Sequence, residues 1–318
     1  MPLFSTIIPV HDREALIAAT LDSALGQDWP DQEIIVVDDG STDRTTQVVE
    51  RYGTRVRLFR QPRSGPGKAR NLGAQQAVGE YLAFLDSDDL WPPWTLSCHA
   101  EAIRVHGHPS LLAARLVSFS LEAEAGSVRR SPLRTEYFPD YLASSHRNIF
   151  VGAGMSVIRR DRFLAAGGFD ARISVAEDHD LIFRLGTAPG FVSVLAPTTL
   201  LWRRHTGSAS MHADASLAGH RHLLQQERAG LYPGGEERAR ERRALLARRL
   251  SSATMQLLAW GHPRAAMDLY RGCFRWNVRQ CRIKYLLAFP MLAALAAVRR
   301  PGTWRTGSAA PTPTVGAR

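Results

Sequence analysis

Along the first hundred residues, apolar positions gather in short unbroken runs, and each run stops abruptly in polar or charged residues. Residues 5–10 (Ser-Thr-Ile-Ile-Pro-Val) end in His11-Asp12, and residues 33–37 end in Asp38-Asp39-Gly40-Ser41-Thr42-Asp43. Residues 55–60 lead into Ser64-Gly65-Pro66-Gly67-Lys68-Ala69-Arg70-Asn71, and residues 81–85 end in Asp86-Ser87-Asp88-Asp89. Apart from residues 55–60, where arginines interrupt the apolar positions, runs of this length without alternation predict buried strands. Between them the apolar spacing becomes helical, as at Leu16, Ile17, Thr20, Leu21, Ala24 and Leu25. Thr42 or Asp43 is the expected cap of a helix running through Val48 and Val49.

Strands alternating with helices predict an α/β fold with a mostly parallel sheet and right-handed crossovers. Such a sheet delivers the loops after its strands to one edge, where ligands bind. No apolar interior accepts unpaired carboxylates, so the acidic run after residue 85 belongs at that edge. Asp38, Asp39, the loop with Lys68 and Arg70, and residues 86–89 are expected to line one cleft. Asp86 and Asp88, one residue apart, are oxygen donors suited to a hard divalent cation carrying phosphates. The competing reading is an acidic turn that caps the next helix.

Downstream, the pattern predicts a helix over 94–106, then loosens over 120–148 as in a surface insertion or an acceptor-binding loop. Residues 152–158 read as a strand entered through glycines, 162–166 as a short helix, and Gly167-Gly168-Phe169-Asp170 as a turn. Residues 176–185 have helical spacing, with Glu177, Asp178 and Asp180 in the first turn, where acids also suit the helix dipole. One or two strands follow over 191–202. From Leu217 the chain turns helical and basic, with a linker at Pro233-Gly234-Gly235 and paired helices over 237–260 and 264–276. Residues 285–298 are uncharged, contain Pro290 and have basic flanks, but fall short of the ~20 residues that span a bilayer. They either lie in a membrane interface or pack on the helical pair. Residues 303–318 read as disordered.

Composition sharpens this picture at three points. With 318 residues, 45% of them hydrophobic, the chain can bury the cores of about two domains. Three cysteines without metal spacing argue against a disulfide framework or a structural zinc. The first residues show no secretory signal, so a cytoplasmic location is expected, peripheral on the inner face of the plasma membrane if the tail binds lipid. The net charge of +10 is carried by the tail: residues 225–318 hold 17 Lys and Arg against 5 Asp and Glu, while residues 1–224 are nearly balanced. An anionic membrane surface is the partner expected for residues 236–300, nucleic acid being disfavoured; the excess of 38 Arg over 2 Lys also fits a bias in genome composition. The run 239–250 reads as a helix with a solvated basic face.

The order of motifs resembles the family 2 glycosyltransferases, which move a sugar from a nucleotide-sugar donor. The resemblance runs through Ile7-Ile8-Pro9-Val10, Val36-Val37-Asp38-Asp39-Gly40-Ser41-Thr42-Asp43, Gly67-Lys68-Ala69-Arg70-Asn71-Leu72-Gly73, Phe84-Leu85-Asp86-Ser87-Asp88-Asp89 with Pro93, Gly167-Gly168-Phe169-Asp170, Glu177-Asp178 and Arg203-Arg204-His205. It covers residues 3–210 and implies a GT-A type fold, with a nucleotide-binding sheet flanked by helices and, here, a C-terminal helical extension. The implied organisation is a transferase domain over 1–215, with a donor half (1–106) and an acceptor half (107–215), then a basic helical extension (216–300) and a disordered tail (301–318).

The resemblance also implies roles. Pro9 and Val10 would border the nucleoside, Asp39 would accept a hydrogen bond from the base, and Asp38 and Ser41 would support Asp39. Lys68 and Arg70 would lie near the nucleotide. Asp88, with Asp86 and a late ligand in His205, would hold Mg²⁺ or Mn²⁺, Asp86 also facing the donor's ribose or sugar. Asp178 would be the general base, with Glu177 beside it. One base and one metal suffice for direct displacement with inversion, from a UDP-sugar to a hydroxyl of a glycan or lipid-linked glycan in bacterial surface polysaccharide synthesis. Two other functions compete with this one. A nucleotidyltransferase would need a glycine-rich loop after the first strand, where this chain has Pro9-Val10-His11-Asp12-Arg13-Glu14. A non-catalytic binder using the arginine-rich tail would have no need of Asp88 and Asp178. Residues 64–69 are no P-loop, because Ala69 stands where a magnesium-binding hydroxyl is required.

Overall fold

The computed structural model describes residues 1–120, 122–204 and 213–298. It divides into two compact units, one of Met1–Ala143 with Ile149–Ala209 and one of Ser144–Asn148 with Ser210–Arg318.

The first unit is built on an eight-stranded sheet. Its strands are β1 (Phe4–Val10), β2 (Gln32–Asp38), β3 (Arg57–Arg60), β4 (Tyr81–Phe84), β5 (Leu111–Ala113), β7 (Arg134–Phe138), β8 (Ser156–Arg159) and β9 (Phe191–Ala196), in the order β3-β2-β1-β4-β8-β5-β9-β7. A separate two-stranded parallel sheet joins β6 (Leu116–Phe119) to β10 (Leu200–Arg203). The first four strands run parallel, with Val10 level with Asp38 and Ile7 level with Phe84. Every residue of β1 and β4 is buried, as expected of strands covered on both faces, whereas β3 at the edge is partly exposed. The polar clusters after β1, β2 and β4 therefore leave the sheet at one edge. Strand β8 runs antiparallel to β4, so the residues that enter β8 lie beside the residues that leave β4.

The helices of this unit are α1 (Ile17–Leu25), α2 (Thr45–Glu50), α3 (Pro66–Gln76), α4 (Thr95–Val105), α5 (Glu122–Ser127), α6 (Arg160–Ala165) and α7 (Glu177–Arg184). Ile17, Thr20, Leu21 and Ala24 are the buried stripe of α1, in the spacing read from the sequence. Helix α2 begins at Thr45, preceded by Arg44, and of the two expected caps it is Asp43 whose Oδ1 accepts from the Thr45 amide, at 2.9 Å. The loosely patterned segment 120–148 holds α5 and the edge strand β7, whose alternating half-exposure left no buried run to read.

The second unit contains α8 (Ala213–Arg228), α9 (Ala239–Ala259), α10 (Pro263–Arg279) and α11 (Ile283–Val298). The solvated basic face expected over 239–250 is only partly there: Arg240 is exposed, but other arginines of the run are engaged. Arg242 is only 2% exposed and donates from Nε to Glu227 at 2.7 Å and from its Nη1 to the Pro233 and Gly235 carbonyls. Arg243 pairs with Glu227 and Glu236, and Arg248 donates to the Ser145 and Arg147 carbonyls. This charge is spent on joining helices and loops. Helix α11 packs through Phe289 and Ala293, with Tyr270 of α10 stacked on Phe289 at 4.7 Å between ring centres. No described helix is long and apolar enough to cross a membrane. Residues 301–318, expected to be disordered, lie outside the described residues.

Candidate active site

The centre of the site is Arg70, on the second turn of α3 and almost fully buried. One end of its guanidinium donates to Asp86 Oδ1 at 2.6 Å and the other to Glu177 Oε1 at 3.1 Å. It therefore ties the exit of β4 to the first turn of α7. The cation also lies 5.3 Å from the ring centre of Phe169. Phe169 is held in turn by Asn71, which donates to its carbonyl and accepts from its amide, both at 2.8 Å. Burial works against the Arg70 charge, but Asp86, Glu177 and Asp178 outweigh it and hold the guanidinium above its ordinary value. Glu177 shows the reverse balance: burial first, then the neighbouring Asp178, pushes its carboxyl up to about 7 against the pull of Arg70.

Asp178 is more open than Glu177, and two amides orient it: Ala153 N–H at 3.3 Å on one oxygen and His179 N–H at 2.7 Å on the other. Asp86 meets the same entry to β8. A methyl group added to Gly154 would stand 2.6 Å from Asp86 Oδ2, and one added to Gly152 would stand 3.3 Å from Asp178 Oδ2. Only a backbone without side chains leaves both carboxylates room. The two acids face the same three residues of backbone from either end.

Asp88 accepts from Arg13 Nε at 3.3 Å, and its carbonyl accepts from Arg203 Nε at 2.8 Å. Asp89 is buried, its Oδ1 accepts from the Arg203 amide at 2.9 Å, and burial, with Asp86 adding to it, pushes its carboxyl up to about 9.

Asp38 and Asp39 shape the loops of this edge. Asp38 is fully buried and accepts from the Ser41 amide, the Thr46 hydroxyl and Arg60. Asp39 accepts from Gln61 Nε2 and from the Ser64 and Gly65 amides at 2.7–2.8 Å, so it fixes the loop that opens α3. Ser41 accepts from the Asp12 amide. Pro9 and Val10 are buried at the end of β1, while Lys68 is exposed. His205 lies outside the described residues.

The structure thus brings Asp86, Arg70, Glu177 and Asp178 into one network, and sets Asp88 on Arg13 and Arg203. Sequence reasoning missed Arg13 and the glycines of the entry to β8. A basic residue just past the first strand and a Gly-x-Gly pair before a strand were the available signals. Asp86 and Asp88 are hard oxygen donors, both partly open to solvent, and a cation that keeps several waters needs only one or two carboxylates. The donor set fits Mg²⁺ or Mn²⁺. Among the described residues no group of three ligating side chains includes Asp86 or Asp88.

The family model described as glycosyl transferase family 2 matches residues 5–164. A poly(ribitol-phosphate) β-N-acetylglucosaminyltransferase, TarS of Staphylococcus aureus, is 41% identical over 118 residues, which are 35% of this chain and 21% of the relative. An uncharacterized glycosyltransferase of Haemophilus influenzae is 42% identical over 93 residues, 28% of this chain and 37% of the relative. The matches thus span well under half the length of these curated relatives. Among solved structures, S. aureus TarS 1–349 with UDP-GlcNAc superposes with a TM-score of 0.66 at 22% identity, covering 92% of this chain and 87% of that one. A mannosyltransferase from Pyrobaculum calidifontis with GDP-Man and Mn²⁺ superposes with a TM-score of 0.55 at 20% identity, covering 92% and 86%. At these identities the superpositions establish the fold, a mostly parallel sheet of the GT-A kind.

Proposed function

The chain belongs to glycosyl transferase family 2, and from that premise we propose that it is an inverting, metal-dependent enzyme moving a sugar from a UDP-sugar to a hydroxyl of a glycan or lipid-linked glycan. The observation that carries this reading is the Arg70 bridge. It holds Asp86, at the donor end of β4, and Glu177, next to Asp178, on one guanidinium. Breaking a glycosyl phosphate develops negative charge on the leaving diphosphate and positive character on the anomeric carbon. The two kinds of charge call for different groups on opposite sides of that carbon.

Asp178 is the base: the Ala153 and His179 amides fix its carboxylate, and its partly open side can take the proton of an acceptor hydroxyl as attack proceeds. Glu177, about half protonated near neutrality, adds less negative charge beside the base than an ordinary carboxylate would, and keeps Arg70 in place. Asp86 and Asp88 would hold Mg²⁺ or Mn²⁺, which when bound supplies charge stabilisation to the departing diphosphate. Asp38 and Asp39 act from behind the donor, by fixing the loops over residues 38–46 and 61–65. Residues 1–106 form the donor half in this assignment and residues 107–215 the acceptor half. The UDP choice is supported by the likeness to TarS with UDP-GlcNAc.

The test is a panel of nucleotide sugars incubated with the purified chain, with and without Mn²⁺, read by nucleotide release. One UDP-sugar should be turned over in a Mn²⁺-dependent manner, and Asp178→Asn should lower kcat by roughly 10²–10⁴-fold while remaining folded. NMR of the product should show the anomeric configuration inverted. Retention, or full activity in Asp178→Asn, would refute the assignment.

A further inference from the structure

The outer face of α10 and α11 takes no part in the site described above. On α11, Ile283, Leu287, Met291 and Leu295 succeed one another at every fourth residue and are 59–68% exposed. They point away from Phe289 and Ala293, the residues through which the helix packs. On α10, Phe274 and Val278 are likewise exposed, one turn apart, and Phe274 touches Tyr270, which stacks on Phe289. Helices α10 and α11 pack on each other, and each keeps an exposed apolar row. Next around α10 come Arg271, Arg275 and Arg279, again one turn apart and exposed, and none pairs with a carboxylate among the described residues. Helix α11 has no acidic residue, and the single acid of α10, Asp268, is engaged by Arg221 at 2.7 Å. A cavity of about 500 Å³ opens beside this row, lined by Arg228, Arg243, Arg271 and Arg275 and by one acid, Glu227, whose carboxylate is already paired with Arg242 and Arg243.

We propose that this face docks the protein on an anionic lipid bilayer. An exposed apolar row beside cations, with the nearby acids Glu227 and Asp268 already paired with arginines, matches the boundary between acyl chains and phosphate headgroups. Leu287 and Met291 enter that boundary, while Arg271, Arg275 and Arg279 hold phosphates at its rim, with the cavity beside them wide enough for a headgroup. Charge decides against a second copy of the chain as the occupant. A two-fold contact through this face would bring like arginines together with no acid to meet them. A purely electrostatic partner such as nucleic acid leaves the apolar row unused. The inference is independent of the donor site, whose residues lie elsewhere in the chain.

The test is flotation of the full chain with phosphatidylcholine vesicles, with and without phosphatidylglycerol. Binding should require the anionic lipid and weaken with salt. Arg271→Gln with Arg275→Gln should weaken it by about fivefold for each arginine. Leu287→Glu with Met291→Glu should abolish it at any salt concentration. All four positions are solvent-facing, so unchanged thermal melts are expected and would separate lost docking from lost folding. Equal affinity for neutral and anionic vesicles, no affinity for either, or variants that float like the parent would overturn the proposal. So would a dimer in solution that the double glutamate variant dissociates while the parent ignores vesicles.

Discussion

Arg70 is the residue whose removal the structure makes most consequential. Replacing it with methionine keeps the volume and leaves Asp86 and Glu177 without their shared cation. Asp86 is 36% exposed, so water takes over part of that bond and its share is about 0–1 kcal/mol. Glu177 is only 10% exposed and lies beside Asp178, and stranding a buried charge costs about 3–5 kcal/mol. Glu177 can escape part of this cost by taking up a proton, since its carboxyl already sits at about 7. Protonation caps the Glu177 share at about 1.4 kcal/mol at about pH 8, so a net loss of about 2 kcal/mol is expected there, or about 4–8 °C in melting temperature for a unit of this size. Below it the loss should shrink, because the carboxyl is then neutral in either protein. The diagnostic measurement is a double-mutant cycle followed by thermal melts at about pH 8 and about pH 5.5. Adding Glu177→Gln to Arg70→Met removes the stranded charge and should recover most of the stability at the higher pH, while activity stays lost. If the double variant melts no higher than Arg70→Met there, or the single variant melts like the parent, the bridge does not hold this site together.

The same network sets the response to pH and to substitution elsewhere in the chain. Because Glu177 is raised to about 7 from its ordinary 4.5, the folded protein keeps a proton that the unfolded chain has already released. Its contribution to stability is therefore full below 4.5 and is lost as pH rises to about 7, and chemical denaturation across that window should show a decline that Glu177→Gln flattens. In Gly154→Ala the new methyl group would stand 2.6 Å from Asp86 Oδ2, so donor turnover should fall sharply, whereas Gly126→Ala, with open space around it, should leave turnover unchanged. Glu227→Ala strands Arg242, itself 2% exposed, and should destabilise the helical unit by about 3–5 kcal/mol in a denaturant titration, against a much smaller effect for Asp268→Ala in its exposed pair with Arg221.

The sequence by itself determined where the strands end and what stands at their ends. A buried strand tolerates no unpaired carboxylate, so the acids after residues 37 and 85 mark the edge of the sheet before any coordinate is known. Alternation of strand and helix then made that edge common to β1, β2 and β4. Tertiary structure alone decided which acids share a partner. The antiparallel entry of β8 brings Gly152 and Gly154 to Asp86 and Asp178, and strand direction is not encoded in an apolar run. Arg70 reaches Glu177 across 107 positions of sequence, a bridge that no local pattern announces. The basic tail divides in the same way: composition shows one sign of charge, but packing decides that Arg242 is enclosed on Glu227 while Arg271 and Arg275 remain outside. Periodicity reports which face of an element is apolar. What meets that face, or the charge beside it, depends on elements distant in sequence, and only the folded chain fixes them.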